Sequence, residues 1–357
     1  MNRSTRNIPL ALKALALGAL AVFALACNKE SEPAAGGGTG GDASGKKLVV
    51  GIVFDSGGRG DKSFNDSAWA GVERAQKEFG IDVKPLESKS EKDYETNLSA
   101  MADEGCNLVF AIGINMKSAL EKVAPNYPDT KFAIVDAPVT GDNVRALLFR
   151  EEEGSFLAGY LAGLMTKTNK IGFVGGMQIP LIGKFAAGYA AGAKTANPAV
   201  EVLPEKYTGS WDNVDVGKVS ALTLFNSGAD IVYHAAGRAG LGVIGAAKEQ
   251  KKFAIGVDSD QDDIEPGSVL TSMIKRVDEA VYSTIVDMKN DTFSNGEKVY
   301  DLKASGVGLS EMRHTKDAIG ADKLAKVNEV AEKIKSGEIR VPASADELAN
   351  YIAGLKG

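Results

Sequence analysis

The sequence predicts an α/β protein built from doubly wound parallel sheets, and two patterns support this prediction. From residue 48 onward, short apolar runs alternate with longer amphipathic segments, which is typical of parallel strands connected by helices. Three of the apolar runs end at an aspartate, namely Asp55, Asp136 and Asp258. Because ligands bind outside the carboxyl ends of the strands in such sheets, these carboxylates predict a crevice for a ligand rich in hydrogen-bond donors.

The individual elements follow from local patterns along the chain. The predicted strands are the apolar segments 48–55, 83–86, 108–112, 132–135, 146–149 and 171–174. The predicted helices are 65–79, 94–104 and 154–165. A loop rich in glycine and polar residues precedes the first helix, and Gly105 closes the second helix as a C-cap residue. The last segment, 307–357, predicts a short strand followed by helices.

A faint internal repeat indicates two lobes of similar build. Three residue pairs share a separation of 121 positions: Gly51 with Gly172, Phe64 with Phe185, and Gly71 with Gly192. The six residues from Gly105 also resemble the six residues from Gly228. Because these matches occur in the same order in both halves, the sequence predicts that the second lobe repeats the architecture of the first.

Two similar lobes would place Phe64 and Phe185 on opposite sides of a cleft. Each follows the first strand of its lobe, and two benzyl rings in this arrangement form a slot for a flat ring. Stacking of a nucleic-acid base on an aromatic side chain contributes roughly 1–3 kcal/mol. The alternative is that both phenylalanines are hydrophobic staples that pack at helix starts.

The N-terminal residues predict export and lipidation. Basic residues precede an apolar run at 14–26, which is too short to span a bilayer but typical of a signal peptide. The residues up to Cys27 resemble a lipobox, so we expect residues 1–26 to be removed and Cys27 to be lipidated. Residues 27–47 then form a flexible, glycine-rich tether that holds the protein on the extracytoplasmic side of a membrane. A plain secretory signal with a chance cysteine is the alternative.

Composition argues against several classes of function. The formal net charge of −6 comes without a basic cluster, which argues against a nucleic-acid partner. Two histidines are too few for a histidine zinc site, and the chain lacks a Gly-x-Ser-x-Gly nucleophile motif. The segment 237–242 lacks dinucleotide-binding spacing, and the segment 258–262 lacks the glycine and glutamate of a calcium loop. We therefore expect a protein with no catalytic residues, cofactor or metal.

Several motifs resemble one known family. The segment Phe54-Asp55-Ser56-Gly57-Gly58, followed by Asp61-Lys62-Ser63-Phe64-Asn65, resembles the signature of the basic membrane protein family of bacterial lipoproteins. Further similar segments lie at 132–136, 153–159, 183–189, 255–261 and 272–277. The resemblance extends from residue 47 to about residue 303. It implies a type I periplasmic binding protein, and one branch of the family consists of purine nucleoside receptors.

The resemblance implies two doubly wound parallel-sheet lobes that are joined by a three-crossover hinge. The implied N-terminal lobe is 48–148 plus 259–300, and the implied C-terminal lobe is 149–258 plus 301–357. We expect the crossovers near Phe149, Asp258 and Asp301. Hinge motion about these crossovers would open and close the cleft around a ligand.

The resemblance also implies residues that contact the base of a purine nucleoside. Phe64 and Phe185 would stack on its two faces. Asn65 and Asp136 would hydrogen-bond its edge, where a carboxylate accepts an N–H and an amide can accept or donate. Trp211 would form a wall of the cleft.

Other residues are implied at the sugar: Asp55, Gly237, Asp258 and Lys275, with Lys62 and Ser63 nearby. Asp258 would accept hydrogen bonds from the ribose hydroxyls, and Lys275 would contact the ribose or hold Asp258. Asp55 would lie near the sugar, directly or by supporting Lys62 and Ser63. Gly237 would let the backbone approach the sugar closely. An aspartate at a strand end also commonly caps a helix or turn, which is the alternative for Asp55, Asp136 and Asp258.

The function implied by the resemblance is capture of purine nucleosides and their delivery to the permease of an ABC-type importer. The expected partners are the nucleoside, the permease and the membrane that holds the lipid anchor. A ligand-sensing lipoprotein for a signalling partner has the same fold and is the first alternative. A nucleoside hydrolase, in which aspartates near a ribose activate water, is the second.

Overall fold

The computed structural model describes residues 47–355. These residues form two predominantly parallel β-sheets flanked by helices, which confirms the predicted α/β class and the two doubly wound lobes. Among the described helices, none is long and apolar enough to cross a bilayer. The predicted signal peptide, Cys27 and the tether up to residue 46 lie outside the described residues.

The strands are β1 (Val49–Phe54), β2 (Asp82–Glu87), β3 (Leu108–Ile112), β4 (Lys131–Val135), β5 (Val144–Phe149), β6 (Lys170–Gly175), β7 (Glu201–Val202), β8 (Lys206–Tyr207), β9 (Ile231–Ala235), β10 (Phe253–Asp258), β11 (Val269–Lys275), β12 (Gly296–Tyr300) and β13 (Val307–Leu309). The α-helices are α1 (Phe64–Phe79), α2 (Tyr94–Asp103), α3 (Lys117–Val123), α4 (Glu151–Met165), α5 (Pro180–Ala196), α6 (Val214–Asn226), α7 (Gly240–Gln250), α8 (Val277–Lys289), α9 (Lys316–Ile319), α10 (Ala321–Lys335) and α11 (Ala345–Gly354).

The first lobe is built on a parallel sheet with the strand order β12-β5-β4-β3-β1-β2. Successive residues of a strand point to opposite faces, so Ile52 packs with one face and Val53 with the other. Helix α1 covers the first face and packs against α8, whereas α2 and α3 cover the second face. Burial on both faces explains why the central strands are continuous apolar runs.

The second lobe is built on a sheet with the strand order β13-β11-β10-β9-β6-β7, in which β8 also pairs with β6. All of these pairs are parallel except the pair between β11 and β13. Helices α4 and α5 cover one face, and α6 and α7 cover the other. The carboxyl ends of β6, β9, β10 and β11 therefore share one edge of this sheet.

One predicted lobe boundary is wrong. The segment 259–300 was expected in the first lobe, but β11 pairs in parallel with β10 and belongs to the second sheet. The chain therefore passes from the second sheet to the first after Lys275 rather than near Asp258. Helix α8 and strand β12 then belong to the first lobe, because α8 packs against α1 and β12 pairs with β5.

The paired glycines of the sequence repeat occupy equivalent positions in the two lobes. Gly71 lies where α1 crosses α8, and a Cβ there would be 2.3 Å from the carbonyl oxygen of Asp278. Gly192 lies where α5 crosses α4, and a Cβ there would be 1.9 Å from the carbonyl oxygen of Phe156. Both lobes thus use glycine to bring a pair of helices into backbone contact.

Substitution of Gly192 by alanine should weaken the packing between α4 and α5. The added methyl group has no space beside the Phe156 carbonyl, so we expect the free energy of unfolding to fall by roughly 1–3 kcal/mol. The matched control is Gly183→Ala in the same helix, where a Cβ meets nothing within 4 Å. Urea unfolding followed by circular dichroism measures both variants, and equal midpoints for the two would contradict the packing argument.

Candidate functional site

A cleft lies between the two lobes at the carboxyl ends of their strands. Most of the residues predicted to bind the ligand line it: Asp55, Phe64, Asn65, Asp136, Phe185, Trp211, Gly237, Asp258 and Lys275. They follow or end strands β1, β4, β9, β10 and β11, or belong to helices and loops next to those strands. The fold therefore gathers side chains from distant parts of the chain around one space.

Backbone conformation at the strand ends directs two of the carboxylates toward the cleft. Asp136 and Asp258 have φ values of 72° and 64°, in the left-handed region. Aspartate adopts this region more readily than most residues, and the change of conformation stops each strand at its carboxylate. At the end of β1, Asp55 instead begins a turn, and its Oδ1 accepts the Gly57 N–H at 2.9 Å.

Lys275 is a buried cation at the centre of the cleft. Its ammonium donates to Asp136 Oδ2 at 2.6 Å and lies 3.4 Å from Glu151 Oε1. Burial alone lowers the pKa of Lys275, but the carboxylates of Asp136, Glu151 and Asp258 raise it above its usual value, so the side chain stays charged. Its bonded partner is Asp136 rather than Asp258, which the resemblance had suggested.

The rings of the two predicted stacking residues both lie near this cation. Lys275 Nζ is 5.2 Å from the Phe64 ring centroid and 5.7 Å from the Phe185 ring centroid. The two ring centroids are therefore within about 11 Å of each other, the sum of these distances. Phe64 begins α1 in the first lobe and Phe185 belongs to α5 in the second, so each lobe contributes one ring.

The Asn65 side chain is held by two carboxylates. Its Nδ2 donates to Asp55 Oδ1 at 3.0 Å and to Asp61 Oδ2 at 3.1 Å. Asp61 also accepts the backbone N–H groups of Ser63 and Asn65, and it thereby caps the start of α1. Asp55 therefore supports Asn65. It does not support Lys62 and Ser63, which was one of its two expected roles.

Ser63 and Lys62 occupy supporting positions rather than the cleft wall. The Ser63 hydroxyl is buried and donates to Asp258 Oδ2 at 2.5 Å. The Lys62 side chain is exposed and borders a separate groove, while its backbone carbonyl accepts from Gln261 Nε2 at 3.0 Å. Both residues thus hold the β1–α1 loop against the second lobe.

Trp211 and Gly237 form part of the cleft wall from the second lobe. The Trp211 ring covers Gly176, where a Cβ would be 2.2 Å from ring atom Cζ3. Gly237 has a φ of 55°, and a Cβ there would be 3.0 Å from the Trp211 carbonyl oxygen. A side chain would therefore clash with the Trp211 ring at Gly176, and it would be both strained in its backbone and crowded at Gly237.

Burial raises the pKa values of the cleft carboxyls. Burial raises the pKa of Asp55 to about 6, although the Asn65 hydrogen bond opposes it. Burial raises the pKa of Asp136 to about 6 and that of Asp258 to about 7, and Lys275 limits both shifts. A ligand that donates hydrogen bonds to these carboxylates would favour their ionised forms and offset the unfavourable effect of burial.

Three further residues at the site are not apparent from sequence reasoning. Asp61 lies inside the family motif but contacts Asn65 rather than solvent, and Glu151 follows β5 and approaches Lys275. Arg238 follows Gly237, lines the cleft, and donates from Nη2 to the Arg59 carbonyl at 2.7 Å. A run of three glutamates at 151–153 is the one sequence signal that could have indicated Glu151.

The described residues show no arrangement of three or more His, Cys, Asp and Glu side chains able to hold a metal ion. His234 is buried, and burial lowers its pKa to about 4, so it is neutral at pH 7. Its Nε2 lies 3.0 Å from Gln261 Oε1, which places it in the core of the second lobe beside the cleft.

A family model described as ABC transporter substrate-binding protein PnrA-like matches residues 48–345. The chain belongs to this family. It is 36% identical over 360 residues to the ABC transporter nucleoside-binding protein BmpA of Lactococcus lactis, covering 94% of this chain and 98% of that protein. It is 41% identical over 327 residues to a CD4+ T-cell-stimulating antigen of Listeria innocua, covering 85% and 90%.

Solved structures agree with this assignment. An ABC transporter solute-binding protein from Aeropyrum pernix superposes with a TM-score of 0.79 at 33% sequence identity, covering 87% of this chain and 97% of that one. The family resemblance based on the sequence motifs is thus confirmed. The chain is a substrate-binding protein of the ABC transporter type, with the cleft at the position where such two-lobed folds hold their ligands.

Replacement of Lys275 by methionine should destabilise the protein most at high pH. The substitution leaves Asp136 buried without its cation, so we expect the free energy of unfolding to fall by about 3–5 kcal/mol at pH 8. The pKa of Asp136 is above its unfolded value, so its protonation stabilises the folded state as pH falls and the loss should be smaller at pH 5.

Lys122→Met is the control, because Lys122 pairs with Glu95 on the surface with both side chains more than half exposed. The free energy of unfolding of Lys122→Met should fall by no more than about 1 kcal/mol at either pH. Chemical unfolding at pH 5 and pH 8 provides the measurement. An equal loss at both pH values for Lys275→Met would show that the ion pair is not the cause.

Proposed function

We propose that the protein captures a purine nucleoside between its lobes and delivers it to the permease of an ABC importer. The observation that carries this proposal is the meeting of Phe64 and Phe185, one from each lobe, within 6 Å of the same buried ammonium. A flat heterocycle placed between these rings would contact both lobes at once. The nucleoside-binding relative from Lactococcus lactis supports the ligand class.

The polar groups of the cleft match the two halves of a nucleoside. Asn65 and Asp136 lie on the first lobe beside Phe64, where they would hydrogen-bond the edge of the base. Asp258 lies at the end of β10, where its carboxylate would accept from the vicinal hydroxyls of ribose. Lys275 neutralises part of the charge and holds Asp136 in place.

Ligand binding is proposed to drive closure of the lobes. The β1–α1 loop already bonds to the second lobe through Ser63 with Asp258, Lys62 with Gln261, and Arg59 with Arg238. A bound nucleoside would contact both lobes at the same time only in the closed state. Closure is therefore favoured by the difference in contacts between the open and closed states, and the closed form would dock on the permease.

We further propose that Cys27 is lipidated and anchors the protein on the extracytoplasmic side of a membrane. The basic residues, apolar run and cysteine of the N-terminus support this, as does the glycine-rich tether that follows. A tethered binding protein stays near a membrane-embedded permease, which raises its effective concentration there.

A nucleoside hydrolase is a weaker alternative. Asp61 is fully engaged with Asn65 and the start of α1, and Asp55 bonds Asn65 and Gly57. Both oxygens of Asp61 and Oδ1 of Asp55 are thus engaged in hydrogen bonds within the protein. Release of free base from inosine by the purified protein would favour the hydrolase. A ligand-sensing lipoprotein would use the same cleft. Binding to a sensor protein instead of a permease would distinguish that function from transport.

Phe64→Ala should weaken purine nucleoside binding more than tenfold, because loss of stacking on one face removes roughly 1–3 kcal/mol. Phe79→Ala is a matched control at the other end of α1, where Phe79 stacks on Tyr282 with the ring centroids 6.0 Å apart. Isothermal calorimetry measures both dissociation constants. An unchanged value for Phe64→Ala would exclude the aromatic slot.

Nucleoside affinity should fall about tenfold between pH 8 and pH 6. The pKa of Asp258 is raised to about 7, so the ionised form that accepts from the ribose is lost as pH falls through this value. Asp258→Asn should weaken nucleoside binding at pH 8, reduce its pH dependence, and leave the affinity for the free base nearly unchanged. Equal losses for nucleoside and free base would remove the ribose role.

A further inference from the structure

Two buried oxygen atoms of the cleft have no hydrogen-bond partner within residues 47–355: Asn65 Oδ1 and Asp136 Oδ1. Both residues line the cleft, with 2% of Asn65 and 8% of Asp136 exposed. The remaining polar atoms of both side chains are engaged, since Asn65 Nδ2 donates to two carboxylates and Asp136 Oδ2 accepts from Lys275. On these two side chains, the atoms left for a ligand are therefore both acceptors, whereas Arg238 Nε in the cleft wall is a buried donor without a partner in the described residues.

The orientation of the Asn65 amide follows from its neighbours. Nδ2 lies 3.0 Å from Asp55 Oδ1 and 3.1 Å from Asp61 Oδ2. A rotated amide would bring its carbonyl oxygen to these two carboxylate oxygens, where no hydrogen bond forms and like partial charges repel. Asparagine, which elsewhere can accept or donate, is thus restricted here to accepting from the ligand.

Asp61 is a positioning residue in this arrangement. Its Oδ1 accepts the backbone N–H groups of Ser63 and Asp66, and its Oδ2 accepts both the backbone N–H and the amide of Asn65. Its acceptor sites are thus occupied within the first turn of α1. Asp61 acts on the ligand through the Asn65 amide.

We propose that Asp55 and Asp61 fix the Asn65 amide as an acceptor, and that the cleft thereby selects purine nucleosides with an exocyclic amino group over inosine. This inference rests on the proposed function, because it takes Asn65 and Asp136 to face the edge of the base. Guanine offers the N1–H and the 2-amino group to two acceptors, and adenine offers the two hydrogens of its 6-amino group. Hypoxanthine, the base of inosine, offers N1–H alone on its pyrimidine edge.

The missing donor has a measurable consequence. A buried acceptor that loses its donor is strongly unfavourable, because its hydration is not replaced. Inosine would leave one of the two oxygens unpaired, because it has a C–H where guanosine has the 2-amino group. We expect inosine to bind at least tenfold more weakly than guanosine, from which it differs only by the 2-amino group.

Calorimetry with guanosine, inosine and adenosine on the full-length protein tests the selection. Guanosine and adenosine should both bind at least tenfold more tightly than inosine. Equal affinities for the three nucleosides would overturn the inference and leave the proposed function intact. Failure of all three to bind would overturn the proposed function as well.

Asp61→Asn tests the positioning role. The variant places an amide beside Asn65, so the Asn65 amide is free to rotate, and the ratio of inosine to guanosine dissociation constants should fall at least threefold. Asp66→Asn is the matched control, because Asp66 accepts from the Gly60 and Lys62 N–H groups of the same loop. The control should leave the ratio unchanged.

A purely structural role for Asp61 would weaken both nucleosides equally, and an unchanged ratio in Asp61→Asn would overturn the proposal. Asn65→Ala provides a second measurement if Asp61→Asn does not fold. Removal of the amide oxygen should weaken guanosine more than inosine, and the ratio should again fall at least threefold. Equal losses for the two nucleosides in Asn65→Ala would overturn the acceptor role of Asn65.

Discussion

The organisation of the cleft depends on one buried ion pair that joins the lobes. Lys275 ends β11 in the second sheet, and its ammonium bonds Asp136 after β4 in the first sheet. Glu151, on the segment that connects the lobes, lies 3.4 Å from the same ammonium. A lone charge in this environment is strongly unfavourable, so the partners must stay together or become hydrated. Opening of the lobes would therefore separate these two charges, and closure brings them back together.

The same ion pair explains why a neutral, donor-rich ligand suits the cleft. Asp136 and Asp258 act on a single lysine, Asp55 lines the same cleft, and burial raises the pKa of each of the three carboxyls toward neutrality. Hydrogen bonds to a carboxylate favour its ionised form and offset the unfavourable effect of burial. A nucleoside supplies N–H and O–H donors without adding charge. An anionic ligand would instead add repulsion from these carboxylates.

Sequence reasoning was most accurate where the pattern is local. Strands that end at Asp55, Asp136 and Asp258 were predictable because buried parallel strands are continuous apolar runs. Strand β11 was assigned to the wrong lobe, since only the segment 259–268, without a helix, separates it from its parallel neighbour β10. Parallel neighbours usually need a longer crossover. The partner of Lys275 was not predictable either, because Asp136 lies 139 residues away in the chain.

The two lobes share a plan but have diverged at the cleft. Gly71 and Gly192 serve the same helix packing in both, which the repeat in the sequence reflects. At the first helix of each lobe, however, Asn65 is surrounded by carboxylates, whereas Lys184 beside Phe185 bonds Glu151. The first lobe thus presents acceptors, and the second contributes a ring, a cation and Asp258. Neither set alone lines the whole cleft, so the proposed recognition of a nucleoside requires that the lobes come together.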